Sequence, residues 1–480
     1  LHGTFFESRI SLVHIGKQEF FLTVFFFLSL TASACSISYL ERPGRTVNDK
    51  SVRAKAVIGN RASRDAILEK EGTGLDFDRS LNTARRVDKR LLRERILQAK
   101  EYLLRVIDHE RHGVHKYYYA ETDTFEPRLH TLYTSSVVFT LLKIYRIDAD
   151  PRIEEKVSRC GDFILSMQSK EMPGTKSYGA FHYSYDIRTR KADRLYVVGT
   201  SAKTIFTLLE LYRFTGEPRY LESARMAAQW LLTMQRPNGT VTSSLRQDQN
   251  GGWHHEGKFS FLYTGQVLSA LSRMYLATGE HVYLHGAGKI GGDIEALLPP
   301  NRGYVGDDYR KPNPVSSSWA VRSLLDFSEA SGDARFENIA FTYGGALAGH
   351  QIQDVEDMDR FGRWEGSRTT SGNGWLNEVM SELYLRCRER GMEDCRKYKD
   401  AMVRGALWIL QHICSDENMD GAKNPVMARG GVFWSARNRY IRTDSVCHCI
   451  NAFVNMLDHL EEGLLMDIPE VPPRNTPVLE

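Results

Sequence analysis

Proline and cysteine are scarce in this chain, at 15 and 7 of 480 residues. So few cysteines exclude a small disulfide-held scaffold. So few prolines leave room for long helices. A dominant charge is missing too: the formal net charge of +3 gives no reason to expect a nucleic-acid partner. The very apolar stretch Phe20 to Leu30 is far shorter than the roughly 20 residues that span a bilayer. There is no phosphate-cradling loop of P-loop type, no Gly-x-Ser-x-Gly elbow and no His-Glu-x-x-His helix. Nucleotide hydrolysis and serine-based acyl transfer are therefore unsupported, and no cofactor or metal is expected. Cys447-His448-Cys449 has no second cysteine pair at zinc spacing, and helical residues two apart face different ways.

What the chain does contain is a recurrent helical hairpin. Six stretches open with small polar residues, run through an amphipathic helix, turn, and enter a second helix. The openings are Thr134-Ser135-Ser136, Thr200-Ser201-Ala202, Thr264-Gly265-Gln266, Ser316-Ser317-Ser318, Gly372-Asn373-Gly374 and Thr443-Asp444-Ser445. Phe139 to Tyr145 and Phe206 to Tyr212 are near copies, as are the later segments ending Met167-Gln168 and Met234-Gln235. Thr215-Gly216-Glu217, Thr278-Gly279-Glu280 and Ser331-Gly332-Asp333 each supply a glycine to end one helix and an acidic residue to begin the next. The spacing of roughly 50 to 70 residues exceeds the 34 to 47 of ordinary helical solenoids, and the surplus lies in loops.

The sixth stretch lacks its second helix. Apolar residues at helical spacing over about Arg86 to His109 supply one, which predicts an all-α, closed (α/α)6 toroid with short β-hairpins in its mouth loops. On this hairpin count and these helix ends, the chain resembles the six-hairpin glycosidase-like group of (α/α)6 barrels over about residues 86 to 463. That resemblance implies a carbohydrate ligand and an activity among glycoside hydrolases, polysaccharide lyases and sugar epimerases.

The expected organisation is a signal peptide over 1–35, a flexible polar tether over 36–85, the toroid over 86–465 and a disordered tail over 466–480. Phe20 to Leu30 reads as a signal h-region and Ala32-Ser33-Ala34 as its cleavage site. Cys35 is the candidate lipidation site, although a lipobox usually has Leu where Ala32 stands. Export follows as an expectation, to the periplasm or as a cell-envelope lipoprotein held to the membrane through Cys35. In an oxidising compartment Cys387 and Cys395 can bridge across the turn of the fifth hairpin; two free thiols is the other reading.

Chemistry is expected in the loops that enter the inner helices, where aromatic rings can stack on sugars and charged groups can fix hydroxyls and carboxylates. Tyr178 to Asp186 reads as a short strand with Phe181, Tyr183 and Tyr185 on one face; Tyr185 and Asp186 are candidate ligand contacts. Gly251 to Phe259 places Trp253, His254, His255 and Glu256 within four residues, with Tyr263 just beyond. Tyr304 precedes Asp307 and Asp308; Trp364 adjoins Glu365; Trp434 precedes Arg437, Arg439, Arg442 and Asp444. Glu256, His255, Glu365 and Asp308 are the candidate catalytic residues. Tyr185, Asp186, Trp253, His254, Tyr263, Tyr304, Trp364, Trp434, Arg437 and Asp444 are the candidate substrate-binding residues. Each also has a structural reading, as a rim turn, a helix cap or a core aromatic.

Glycosidases need two carboxylates flanking the scissile bond. Lyases and epimerases of uronic-acid sugars need a base and a group that neutralises the substrate carboxylate. The sequence supports an exported carbohydrate-active enzyme of one of these kinds. A non-catalytic glycan-binding or polysaccharide-assembly lipoprotein on a degenerate toroid is the alternative. A terpene-cyclase relative is disfavoured, because Asp354-Val-Glu-Asp357 departs from the acidic Asp-x-Asp-Asp initiator.

Overall fold

The computed structural model describes residues 85–468, apart from 171 and 436. The expected signal segment, Cys35 and all but the last residue of the expected tether lie outside the described residues.

Thirteen helices are described: α1 (Lys89–Arg105), α2 (Thr131–Tyr145), α3 (Pro151–Ser166), α4 (Val198–Thr215), α5 (Pro218–Thr233), α6 (Phe261–Thr278), α7 (His281–Leu297), α8 (Pro314–Ser331), α9 (Ala334–Gly349), α10 (Thr370–Glu389), α11 (Arg396–Leu410), the short α12 (Pro425–Ala428) and α13 (Thr443–His459). Helices α2, α4, α6, α8, α10 and α13 pack side by side in that order, and α13 returns to α2. This closes an inner ring. Each of α3, α5, α7, α9 and α11 packs outside the inner helix it follows, and α1 packs on α13 as the sixth outer helix. The expected (α/α)6 toroid is what the chain forms.

The repeated residues explain the closure. Gly216, Gly279 and Gly332 end α4, α6 and α8 in the left-handed conformation, each with φ of 72°. The amide of Gln168 donates to Ser223 O at 2.9 Å, that of Gln235 to Gly286 O at 3.0 Å and that of Gln351 to Ala401 O at 2.8 Å. Each glutamine thus ties the end of one outer helix to the backbone of the next. Glycines make a second tie between mouth loop and outer helix. At Gly362 a Cβ would fall 2.0 Å from Arg404 O, and at Gly430 it would fall 2.1 Å from Gln98 O. The Gly430 approach falls on α1, so the sixth outer position is joined as the others are.

Loops stitch the mouth. Strand 117–119 pairs with 124–125 and with 441–442; strand 184–186 pairs with 128–130 and 191–192; strand 244–247 pairs with 195–197 and 253–255. The ends of the domain also pair, Arg86–Asp88 against Leu464–Asp467. Order therefore runs into the expected tail at Met466 and Asp467. Cys387 and Cys395 form a disulfide between α10 and α11, with Cα atoms 5.6 Å apart. No helix among the described residues is long and apolar enough to cross a membrane.

Candidate active site

An inner helix of a closed ring has two buried sides. One packs on neighbouring helices and the other faces the axis. Residues three and four apart share a face, so the axial face reads as a stripe. On α13 that stripe is Asp444, His448, Asn451, Asn455 and His459; on α10 it is Trp375, Glu378, Glu382 and Arg386; on α8 it is Trp319, Arg322 and Asp326. Below the level of Asp444, these stripes, with Lys143 and Phe139 of α2, Lys203 and Phe206 of α4 and Arg273 of α6, enclose an axial cavity of about 210 Å³. Arg386 and Asp326 stand behind its wall.

The centre of the cavity is a relay of three side chains from three helices. The Glu378 carboxylate holds His448 Nδ1 in a short hydrogen bond, and His448 Nε2 lies 3.3 Å from Lys203 Nζ. A carboxylate on Nδ1 keeps the proton there and leaves the Nε2 lone pair for Lys203 or for a substrate. The second Glu378 oxygen accepts from Asn451 at 3.3 Å. Burial pushes the Lys203 ammonium below its ordinary range, against the pull of Asp444 and Glu378. One turn above His448, Asp444 accepts from Ser371 Oγ at 3.0 Å and pairs through both oxygens with Arg442, at 2.7 and 2.8 Å. Burial opposes its charge, yet Arg442, His448 and Lys203 outweigh burial and hold it below the usual carboxylate range.

Below the relay, Glu382 pairs with Arg322 at 2.7 Å and Arg386 at 3.2 Å, while Asp326 pairs with Arg322 at 3.0 Å and Arg273 at 3.2 Å. Burial works against the Glu382 carboxylate, but the two arginines prevail and bring it down to about 2. Trp319 and Trp375 stack with centroids 3.9 Å apart, and Trp375 meets His448 edge-on at 5.4 Å. The wall therefore offers an indole surface, an imidazole with an oriented lone pair, a desolvated ammonium and carboxylates. No group of three His, Cys, Asp or Glu among the described residues is arranged to hold a metal ion.

None of the four residues expected to be catalytic lines this cavity. Glu256 and His255 sit on a rim hairpin, where the Glu256 carboxylate accepts from Lys258 N at 3.2 Å and His255 is exposed. Asp308 accepts from Phe259 N at 2.7 Å, and its neighbour Asp307 accepts from Phe261 N at 2.9 Å. These aspartates fasten the start of α6. Glu365 is 65% exposed, and the imidazole of His350 lies 3.9 Å from its carboxylate.

The expected binding residues divide likewise. Trp364 has no exposed surface and donates its indole N–H to Leu347 O at 2.9 Å; it packs the core and offers no face to a sugar. Trp253 leans on Tyr196 at 6.0 Å, and His254 is held by Asp248 at 2.6 Å. Asp186 caps a turn through Arg188 N and Thr189 N, both at 3.0 Å, while Tyr185 lies under Arg111 at 5.3 Å. The strand there is Ser184–Asp186 alone, and Phe181 is fully buried. Tyr263 faces Arg310 at 6.0 Å, and the Tyr304 hydroxyl donates to Glu365 O at 3.1 Å. The arginine cluster does not converge: Arg437 is exposed, Arg439 donates to Asn418 O at 2.7 Å, and Arg442 lies over Trp434 at 4.5 Å. Asp444 and Trp434, joined through Arg442, are the expected residues that lead toward the cavity.

A profile of glycosyl hydrolase family 76 matches residues 186–306. No curated protein sequence matches the chain significantly. Among solved structures, cellobiose 2-epimerase from Bacillus thermoamylovorans B4167 is 12% identical, with a TM-score of 0.60 over 78% of this chain and 99% of its own. An inactive double-aspartate variant of the α-1,6-mannanase GH76A of Salegentibacter sp. HEL1_6, bound to α-1,6-mannotriose, is 10% identical, with a TM-score of 0.55 over 76% and 99%. An unsaturated glucuronyl hydrolase specific for heparin is 12% identical, with a TM-score of 0.55 over 77% and 98%. With its closed inner ring and this likeness over almost the full length of all three, the chain has the six-hairpin glycosidase-like (α/α)6 fold.

Proposed function

We propose that the protein is a carbohydrate-active enzyme that carries out acid–base chemistry on a sugar unit held in the axial cavity. The observation that carries the proposal is the Glu378–His448–Lys203 relay, set beside an indole surface. At about 210 Å³ the cavity lies below the roughly 300 to 1,000 Å³ of drug-sized ligand sites, which suits one sugar ring. His448 Nε2 takes a proton from a carbon beside a carbonyl or carboxyl group, and Glu378 stabilises the imidazolium that results. Lys203, its pKa lowered by burial, delivers a proton to the ring or to a leaving oxygen. Such proton transfer serves an epimerase or a lyase. The three similar structures, an epimerase and two glycan hydrolases, support a glycan substrate.

A hydrolase is the second reading, favoured by the family 76 match, whose span includes Lys203, Phe206 and Arg273. Glu378 and Asp444 would then be the two carboxylates. Export to an oxidising compartment is part of the proposal and is supported by the Cys387–Cys395 disulfide. Cell-envelope attachment through Cys35 is proposed on sequence alone.

The test incubates the protein with neutral and uronic-acid oligosaccharides in heavy water and in 18O-labelled water, with mass spectrometry of the products. Deuterium gain without cleavage identifies an epimerase, and cleavage without water a lyase; cleavage with 18O incorporation identifies the hydrolase. No change on any glycan, together with retention on glycan columns, overturns the enzyme reading and leaves a binding protein.

A further inference from the structure

The charges around the cavity do not balance. Both arginines in its wall are matched: Arg322 by Asp326 and Glu382, and Arg273 by Asp326. Its two lysines are not. Lys143 Nζ donates to the neutral Asn455 Oδ1 at 2.9 Å, and Lys203 Nζ meets the imidazole of His448. Among the described residues no carboxylate lies within 4 Å of either ammonium. The carboxylate nearest to serving both, Glu378, spends its oxygens on His448 and Asn451. The wall thus holds four cations against two carboxylates, Glu378 and Glu382. Of the charges around it, Asp326 pairs with both wall arginines, Arg386 with Glu329 and Arg442 with Asp444. Burial disfavours the charge on Lys143 as it does on Lys203. A cation withdrawn from water is stabilised most by an anion in hydrogen-bond range.

From this imbalance we infer that the sugar taken into the cavity carries one negative charge, the carboxylate of a uronic acid, and that Lys143 is a specificity-determining residue for it. The inference rests on the cavity being the sugar site proposed above and adds the substrate class. Lys143 stands two turns down the axis from the level of His448, so it can hold a charged group at one end of the ring while the relay works at the other. An ammonium is a point charge without a fixed fork, so it can take a carboxylate over a range of angles. Asn455 Oδ1 accepts from the ammonium and holds it in place.

The experiment measures binding of matched pairs to the whole protein by calorimetry: glucuronate with glucose, galacturonate with galactose and mannuronate with mannose. At least one uronate is expected to bind tenfold or more tightly than its neutral partner. In Lys143→Met that preference should fall to about twofold or less, and Lys143→Arg should keep part of it. Equal binding of neutral and acidic partners by the unaltered protein overturns the inference but leaves the sugar site standing, and needs no variant to fold. An unchanged preference in Lys143→Met also overturns it. Tighter binding of glucose 6-sulfate than of glucuronate would assign the charge to a sulfate ester and overturn the carboxylate. Failure of every sugar to bind would instead remove the site itself.

Discussion

The mouth loops and the axial stripes hold similar residues and use them differently. In the loops, Asp307 and Asp308 tie down the backbone at the start of α6, Asp248 holds His254 over its own turn, and Trp364 fills core space. Along the axis, Glu378, His448 and Lys203 come from three helices and meet one another facing open volume. A loop folding back on itself must satisfy its own backbone, and short carboxylates are the cheapest means. A helix satisfies its backbone internally, so its axial side chains are left for chemistry. The difference teaches that residue type alone does not mark a site in this fold. What marks it is a polar side chain on a face that the ring has already closed.

The largest effects should come from breaking the relay. Glu378→Gln and His448→Asn should each lower kcat by about 10²- to 10⁴-fold, the usual weight of a positioned acid or base, with little change in thermal midpoint. Glu256→Gln and His255→Asn, on the rim hairpin, should change kcat less than about threefold. Turnover on whichever glycan the labelling test shows to react checks both pairs. Equal losses in the two pairs would erase the distinction between loop and axis.

Trp364→Ala sharpens the comparison from the structural side. A fully buried indole with a satisfied N–H should cost about 3 to 5 kcal/mol in urea unfolding. Trp434, half-buried at the mouth, should cost far less when cut to Ala. A stable Trp364→Ala protein with poor glycan affinity would return Trp364 to the role its sequence suggested.

The ring was legible in the sequence because its devices repeat. Small polar openings, Gly-acid junctions and the glutamine that ends an outer helix recur at visible spacing, and each does one mechanical job. The α1 closure was legible because one helix was missing and one was left over. The site was less legible. His448 was visible inside Cys447-His448-Cys449, but as a question about zinc. Its partners Glu378 and Lys203 lie 70 and 245 residues away in sequence, and only the closed ring brings them together. One local signal was present: charged residues four apart within otherwise buried helices, Glu378 with Glu382 and Arg322 with Asp326. In a surface helix that pattern is a solvated face. On an inner helix of a toroid it can face only the axis.

Acid should destabilise the fold through its axial ion pairs. Glu382 is held near 2 where an unfolded chain would have about 4.5. An acid with a lowered folded pKa gives stability that is complete above the unfolded value and is lost as pH falls toward the folded one. The thermal midpoint should therefore drop between about pH 4.5 and 2, and Glu382→Gln should be less stable at pH 7 with a shallower drop over that range. Reducing the Cys387–Cys395 bridge, which closes a loop of about nine residues, should cost about 2 to 3 kcal/mol at neutral pH by loop entropy.

The smallest effect belongs to Asp308→Asn. Its carboxylate accepts one hydrogen bond, from Phe259 N at 2.7 Å, at an exposed place. An amide oxygen of the same shape can still accept that bond, so only the charge-assisted part is lost and the cost should be about 1 kcal/mol or less. Turnover should be unchanged, because the residue pins the entry to α6 and does not line the cavity. The measurement worth making is kcat on the glycan that the relay variants lose. Asp307 and Asp308 are an adjacent pair within a mouth loop. A hundredfold fall in kcat at constant stability would place the chemistry at that pair and make the axial relay a scaffold, which is the one exchange of roles that the hydrogen bonds of both regions argue against.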